Sequence, residues 1–295
     1  MEVIDSMSER NKGILFILMA AFFFALMSLF VKLSGDIPSL QKAFFRNIVA
    51  LFFAGFILCR NHISLKVPKG CKRYLFLRAF CGTIGLLCNF YAIDHLAIAD
   101  ANMLNKMSPF FAIIASYFIL KEKIAPYQAI CVVVAFIGVL FILRPGFGSM
   151  ISFPALIGLI GGIGAGTAYA MVRVLGNRKV QGPVIVFTFS LFSTLVTLPY
   201  LILNYTPMSG QQFLFLMLAG FAASGGQFSI TAAYTHAPAK DISIFDYMQI
   251  VFSSLMGILV LNEIPTPFSI LGYVIIIGAS LAMFLIRRKK EGSMA

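Results

Sequence analysis

The chain has 295 residues, of which 60% are hydrophobic and only 12% are charged. Soluble domains are typically about 45–50% apolar and about 25% charged, so this composition excludes an ordinary soluble protein. The formal net charge of +12 would suit a nucleic-acid binder only if the basic residues gathered on a polar domain. Long apolar stretches instead recur from end to end, which predicts a membrane-embedded chain.

Ten apolar segments are long enough to cross a bilayer, which takes about 20 helical residues. The first resembles a secretory signal, but it is long enough to span and has no convincing small-residue cleavage site before Lys32. Most connections are short and contain Gly, Pro, Asn or charged residues. The predicted spans are 13–32, 39–59, 74–94, 98–120, 126–143, 154–173, 183–203, 211–235, 239–261 and 267–286.

The basic residues are divided unequally between the two sides of these spans. With a cytoplasmic N-terminus, 17 of the 23 Lys and Arg residues fall on the inner side, including those of RNHISLKVPKGCKR and the tail RRKK. The positive-inside rule therefore predicts that both termini are cytoplasmic. The positive charge is then a topology signal that faces anionic lipid, and no nucleic-acid partner is expected. The other six are Lys32, Lys42 and Arg144 outside, and Arg46, Arg78 and Lys106 within spans.

The sequence repeats itself at an offset of 141 residues, at which LKEKIAPYQ aligns with LNEIPTPFS without a gap. Each half holds five spans, and because five is odd the second half must enter the membrane in the opposite orientation. Two units, 1–145 and 146–295, are therefore predicted to form an inverted repeat, as in many secondary carriers. The coinciding pairs are Lys32 with Arg173, His95 with His236, Asp100 with Asp241, Glu122 with Glu263, and Pro126 with Pro267.

Five stretches resemble a known family: AFFRNIVAL, LRAFCGTIGLLCNFYAI, ANMLNKMSPFFAIIASYFILKEKI, AFIGVLFILRP and, in the second half, DYMQIVFSSLMGILVLNEIP. Through them nearly the whole chain resembles the EamA-type branch of the drug/metabolite transporter superfamily. The resemblance implies a ten-helix carrier in which spans 4 and 9 flank a central cavity. Family cargo includes amino acids, nucleotide-related metabolites and drugs, and bacterial amino-acid exporters and S-adenosylmethionine carriers resemble this pattern. The second half departs from the first at Phe187, which stands where the first half has Arg46.

Span 4 contains several residues that are poorly suited to hydrocarbon. Lys106 lies roughly 4.5 Å from the centre of the span, where facing lipid would cost several kcal/mol. It is therefore expected to face protein or a water-filled cavity. Asn102, Asn105 and Pro109 form one stripe, which predicts that both amides point toward the same interior. Pro109 also removes a backbone hydrogen bond near this level.

Span 9 has its own polar stripe in DYMQ, and Asp246 is the only acid deep within a predicted span. Lys106 and Asp246 would be offset by roughly 10 Å along the membrane normal, a gap that a bound zwitterion could bridge with its carboxylate toward Lys106 and its amine toward Asp246. The alternatives are a structural pair or snorkelling side chains. The predicted substrate-binding residues are Asn102, Asn105, Lys106, Asp246, Tyr247, Gln249, Arg46, Asn89, Tyr91 and Gln227.

Other polar or glycine-rich features have structural interpretations. The glycines of GLIGGIGAG lie inside a span without a preceding strand, so they predict close helix packing instead of a dinucleotide site. Arg78, near the cytoplasmic start of span 3, is expected to snorkel. His95 and His236 are expected to pack at the interface, with proton sensing as the alternative. Glu263 is expected to cap a helix or to pair with a basic group.

The sequence thus predicts a multi-pass transporter of the cytoplasmic membrane that moves a small polar or zwitterionic metabolite, such as an amino acid or S-adenosylmethionine, by alternating access. HExxH, P-loop, GxSxG and paired-cysteine motifs are absent, so no enzyme activity, metal or cofactor is expected. An intramembrane enzyme and a non-transporting structural or receptor protein are the alternatives. The expected partners are a metabolite, membrane lipids and a proton or other ion gradient, with the chain a monomer or homodimer.

Overall fold

A computed structural model describes residues 8–120, 125–143, 152–237 and 239–292. These residues form α-helices joined by short connections, and they contain no β-strand. Eight helical stretches in this part of the chain are long and apolar enough to cross a membrane, and Pro126–Ile142 is a shorter apolar helix. The expected all-helical multi-pass architecture is confirmed. Glu122 of the repeat and Arg144, predicted to lie outside the membrane, are not among the described residues.

The helix ends follow local sequence signals. Ser8 caps α1 by accepting a hydrogen bond from the backbone N–H of Asn11, and Ser209 and Gln212 form a capping box at α9. The described helices are α1 Glu9–Leu33, α2 Ser39–Arg60, α3 Lys72–His95, α4 Ile98–Asn105, α5 Ser108–Leu120, α6 Pro126–Leu143, α7 Phe153–Asn177, α8 Gly182–Leu203, α9 Gly210–His236, α10 Ala239–Asp246, α11 Met248–Met256, a π-helical segment Gly257–Leu261 and α12 Pro267–Gly292.

Predicted spans 4 and 9 are each broken near their middle, so the expectation of continuous helices there was wrong. The first break separates α4 from α5 at Lys106 and Met107, and the second separates α10 from α11 at Tyr247. Pro109 lies in the first turn of α5, where its missing N–H is tolerated. Lys106 and Tyr247 are equivalent at the 141-residue offset, so the two halves are interrupted at the same place.

Helices that are equivalent in the two halves pack against each other in antiparallel pairs. Gln41, at the start of α2, exchanges hydrogen bonds of 2.8 and 2.9 Å with the backbone of Thr206, which follows α8. Along α6 and α12, Cys131 lies near Ala279 while residue 142 lies beside residue 272, so these helices also run in opposite directions. In addition, α1 packs on α9, and their equivalents in the opposite halves, α7 and α3, also pack on each other. The same contact between the halves therefore occurs twice.

Glycines in α7 bring this helix against the first break. A Cβ on Gly162 would lie 2.7 Å from the carbonyl oxygen of Leu104, and one on Gly166 would collide with the carbonyl of Ser108. Glycine at both positions therefore allows backbone-to-backbone contact with the ends of α4 and α5. The helix-packing interpretation of GLIGGIGAG is confirmed.

Polar contacts join the ends of several helices. Glu263 lies 3.3 Å from the ammonium of Lys32 and accepts a hydrogen bond of 2.9 Å from the backbone N–H of Ile98. This confirms that Glu263 both pairs with a basic group and caps a helix. His95 stacks on Tyr91, and His236 contacts the carboxylate of Glu9 at 2.6 Å. The histidines thus have packing and pairing partners at helix ends, in line with their structural interpretation.

Candidate functional site

A central cavity lies among helices of both halves, beside the two helix breaks. About 60 Å³ of it is open to water-sized molecules, which is room for a few waters. Cationic, amide and aromatic side chains share its wall. The lining residues are Phe24, Met27, Arg46, Arg78, Gly82, Gly85, Leu86, Asn89, Asn105, Ala165, Ala168, Tyr169, Phe189, Gln227 and Gln249.

Half of the ten predicted binding residues line this cavity. They are contributed by α2, α3, α4, α9 and α11, so both halves of the chain supply polar groups. Spans 4 and 9 flank the cavity as the family resemblance implied, through the ends of α4 and α11. The residues are Arg46, Asn89, Asn105, Gln227 and Gln249.

Two arginines lie against the same aromatic ring in the cavity wall. The guanidinium carbon of Arg46 lies 5.6 Å from the centroid of Phe189, and that of Arg78 lies 4.3 Å from it. Arg78 donates a hydrogen bond of 2.9 Å to the side-chain oxygen of Gln227, and Arg46 donates to that of Asn47. Aromatic faces stabilise such cations, so the ring holds both guanidinium groups at the cavity.

The expectation that Arg78 snorkels to the membrane surface was wrong, since it is only 2% exposed. Its guanidinium occupies the space that a Cβ on Gly82 would fill, one turn further along α3. Because Gly82 has no side chain, Arg78 can turn inward against Phe189 instead of outward.

Asn102 lies behind the cavity and not in its lining. It is fully buried, and its side-chain oxygen accepts hydrogen bonds from Ser28 at 3.1 Å and from Gln249 at 3.0 Å. Its amide nitrogen donates to Ser253 at 2.9 Å. Asn102 therefore connects α1, α4 and α11, and it holds the cavity residue Gln249 in place.

Lys106 and Asp246 contact each other directly, so the predicted gap between them does not exist. Their ammonium and carboxylate groups are 2.7 Å apart and almost completely buried, and neither residue lines the cavity. The offset assumed two continuous helices, but both residues lie at helix breaks, which changes the direction of their side chains. Lys106 follows the C-terminus of α4, where the helix dipole favours a positive charge, and Asp246 is the last residue of α10, two residues before α11 begins.

The two predicted tyrosines lie outside the cavity lining. Tyr91 stacks on His95 with ring centroids 4.1 Å apart, and Tyr247 is buried at the second helix break. Sequence reasoning missed Arg78, Tyr169 and Phe189. An aromatic residue in an apolar span resembles a lipid-facing one, so no local signal distinguished Tyr169 or Phe189.

Comparisons with known proteins agree with the duplicated architecture. The profile of the EamA-like transporter family matches residues 11–144 and again residues 152–285, so the second match lies 141 residues after the first. A crystal structure superposes with a TM-score of 0.70 at 15% identity, covering 95% of this chain and 99% of the other. That likeness shows the fold.

Relatives of similar length are named transporters. The pseudopaline exporter CntI of Pseudomonas aeruginosa is 33% identical over 289 residues, which cover 96% of this chain and 98% of the relative. Solute carrier family 35 member G1 of Homo sapiens is 28% identical over 284 residues, covering 91% of this chain and 78% of the relative. The family and these relatives are transporters, not enzymes.

Proposed function

Because the chain belongs to the EamA-like transporter family, we propose that it is a secondary active transporter that moves a small polar or zwitterionic metabolite across the cytoplasmic membrane by alternating access. The observation that carries the proposal is a polar cavity bounded by both halves of the duplicated chain at two equivalent helix breaks. Carriers often bind substrate at such broken helices, near the interface of the repeats.

The antiparallel pairing of equivalent helices supports an inverted repeat of two five-span units. With both termini cytoplasmic, as the basic residues indicate, each unit would cross the membrane in the opposite sense. Exchanging the conformations of the two units would then move the opening of the cavity from one side of the membrane to the other.

The size of the cavity supports a conformational cycle. Room for a few waters cannot hold an amino-acid-sized metabolite, so substrate entry requires helices to separate. Lys32 in the first half pairs with Glu263 in the second, and this contact lies at the end that the sequence predicts to be outside. Opening toward that side would break the pair.

The pair of Lys106 and Asp246 is proposed to link this movement to a proton. Protonation of Asp246 would remove the negative charge that holds Lys106, and both residues lie where the broken helices meet. Asp246→Asn, which removes the carboxylate that would take up the proton, should therefore flatten the pH dependence of transport.

Export is the proposed direction, because the 33% identical relative is named an exporter.

The experiment is counterflow in proteoliposomes that contain the purified protein, with a panel of labelled neutral, cationic and anionic metabolites. A carrier accelerates exchange of its own substrate and of few others.

Asn105→Ala should weaken substrate affinity roughly 10-fold, since it removes about one hydrogen bond from the cavity. Asn102→Ala is the matched variant: it should lower the melting temperature of the protein, because it leaves buried partners unpaired.

Two results would contradict the proposal. Absence of counterflow for every metabolite would argue against a carrier, and lipid turnover without flux would favour the enzyme alternative. If Asn105→Ala left affinity unchanged in a folded protein that transports, the cavity would not be the binding site.

A further inference from the structure

Arg46 and Arg78 place two positive charges in the cavity, and no acidic side chain among the described residues neutralises them. Arg46 is 1% exposed and Arg78 is 2% exposed. No carboxylate of the described residues forms an ion pair with either guanidinium. Asp246 is already engaged with Lys106 at 2.7 Å. Buried charges in proteins are normally paired, so the unpaired arginines require another explanation.

Most of the hydrogen-bonding capacity of the two arginines is also unused. A guanidinium has five N–H donors, yet each of these groups makes one side-chain hydrogen bond, to Asn47 and to Gln227. The Nε atoms of both arginines are buried and have no hydrogen-bond partner. Guanidinium groups bind carboxylates through two parallel hydrogen bonds, and such a group would satisfy these donors.

The two guanidinium groups are close enough to act on one small molecule. Both lie against the ring of Phe189, at 5.6 and 4.3 Å from its centroid, so their separation is at most the sum of these distances. Asn89, on the same helix as Arg78, has a buried side-chain oxygen without a partner. It can accept a hydrogen bond from an ammonium or hydroxyl group of the same molecule.

We propose that the cavity binds a metabolite with two carboxylate groups, one for Arg46 and one for Arg78. This inference rests on the proposed carrier function and narrows its substrate class. One carboxylate would leave a buried positive charge, whereas two neutralise the site. The arginines belong to the first half alone, because Phe187 and Ala219 stand at the equivalent positions of the second half. The two arginines therefore have no counterparts in the second half, so the carboxylate-binding groups are not duplicated.

The test measures thermal stabilisation of the purified full-length protein by diacids of increasing size: succinate, L-glutamate, L-2-aminoadipate and γ-glutamylglycine. Their mono- and diamide analogues, L-glutamine among them, and inorganic phosphate are the comparison ligands. The expected result is stabilisation by at least one diacid, with an apparent affinity about 10- to 150-fold above that of its amide. The same diacid should show counterflow in proteoliposomes.

Arg46→Gln and Arg78→Gln should each remove the preference for the diacid over its amide. Their ligand-free melting temperatures should equal or exceed that of the unchanged protein, because each substitution removes an unneutralised buried charge. A purely structural role predicts the opposite, a lower melting temperature. Arg73→Gln is the matched control: Arg73 is exposed at the start of α3, so the preference should persist.

Several results would overturn the inference: no stabilisation by any diacid, equal stabilisation by diacids and amides, equal stabilisation by phosphate, or an unchanged preference in both cavity variants. If neutral metabolites show counterflow and diacids do not, this inference fails while the carrier function stands. If a diacid binds through the arginines without any flux, the inference stands and the carrier function fails.

Discussion

Lys106 and Asp246 form a buried ion pair that links the two helix breaks. Taking two charges out of water is costly, and a buried pair is stable only as long as both partners are present. The exposed fractions of their side chains are 2% and 0%, so water cannot replace a missing partner. Substitution of either residue is therefore expected to affect both halves of the molecule.

Lys106→Met and Asp246→Asn should therefore each lower the free energy of unfolding by about 3–5 kcal/mol, because each leaves one charge buried and unpaired. The double variant should recover much of this loss. Thermal unfolding of the purified proteins measures the effect. Lys12→Met is a control, since the pair of Lys12 with Glu9 is at the surface and should contribute little. Single variants as stable as the unchanged protein would contradict the assignment.

Among the elements, α7 has the closest backbone contact with the first helix break. Gly162 and Gly166 lie against the carbonyl groups of Leu104 and Ser108. A methyl group at either position would force α7 away from α4 and α5. Because Ala165, Ala168 and Tyr169 on the same helix line the cavity, that movement would also change the shape of the site.

Gly162→Ala should accordingly reduce the melting temperature and the yield of folded protein, although alanine favours helices over glycine. Gly278→Ala in α12 is the matched control, since a Cβ there meets nothing within 4 Å. The control should be neutral or slightly stabilising. Equal behaviour of the two variants in a melting experiment would show that close packing at Gly162 has no energetic role.

On the scale of the whole molecule, the antiparallel pairing of α2 with α8 determines which loops share an end. Thr206, after α8, is hydrogen-bonded to the start of α2. The loop that contains Lys66 follows the end of α2 and therefore lies at the opposite end of this pair. Basic residues are concentrated in that second loop, so the positive-inside rule predicts that it faces the cytoplasm.

Cysteines at positions 207 and 66, introduced into a variant without its five natural cysteines, should therefore differ in accessibility. Pro207→Cys should react with a membrane-impermeant thiol reagent in intact cells, and Lys66→Cys only after the membrane is opened. Both positions are exposed. The same contrast is expected between positions 147 and 290, of which 147 lies outside the described residues. The reverse pattern would reject the predicted orientation.

The sequence by itself determined the class of the protein and much of its organisation. Apolar composition predicts a membrane protein whatever the helices contact, because the bilayer acts on every span alike. The 141-residue offset predicts the duplication because the same uncommon residue types recur at matching helix ends. Polar residues deep within the spans, such as Arg46, Asn105 and Gln249, could be predicted to line a cavity, because exposing them to lipid is costly.

Only the tertiary structure decided which of these residues share the cavity and which bond to each other. In a span that is apolar all round, no periodic pattern marks the face that meets other helices. The inward turn of Arg78 depends on Phe189 from α8, and the burial of Asn102 depends on Ser28 and Ser253 from two other helices. Pro109 gave a local sign of the first helix break, but Ile250 stands at the equivalent position of the second half. The contact of Lys106 with Asp246 arises where both broken helices meet, which no single segment of sequence encodes.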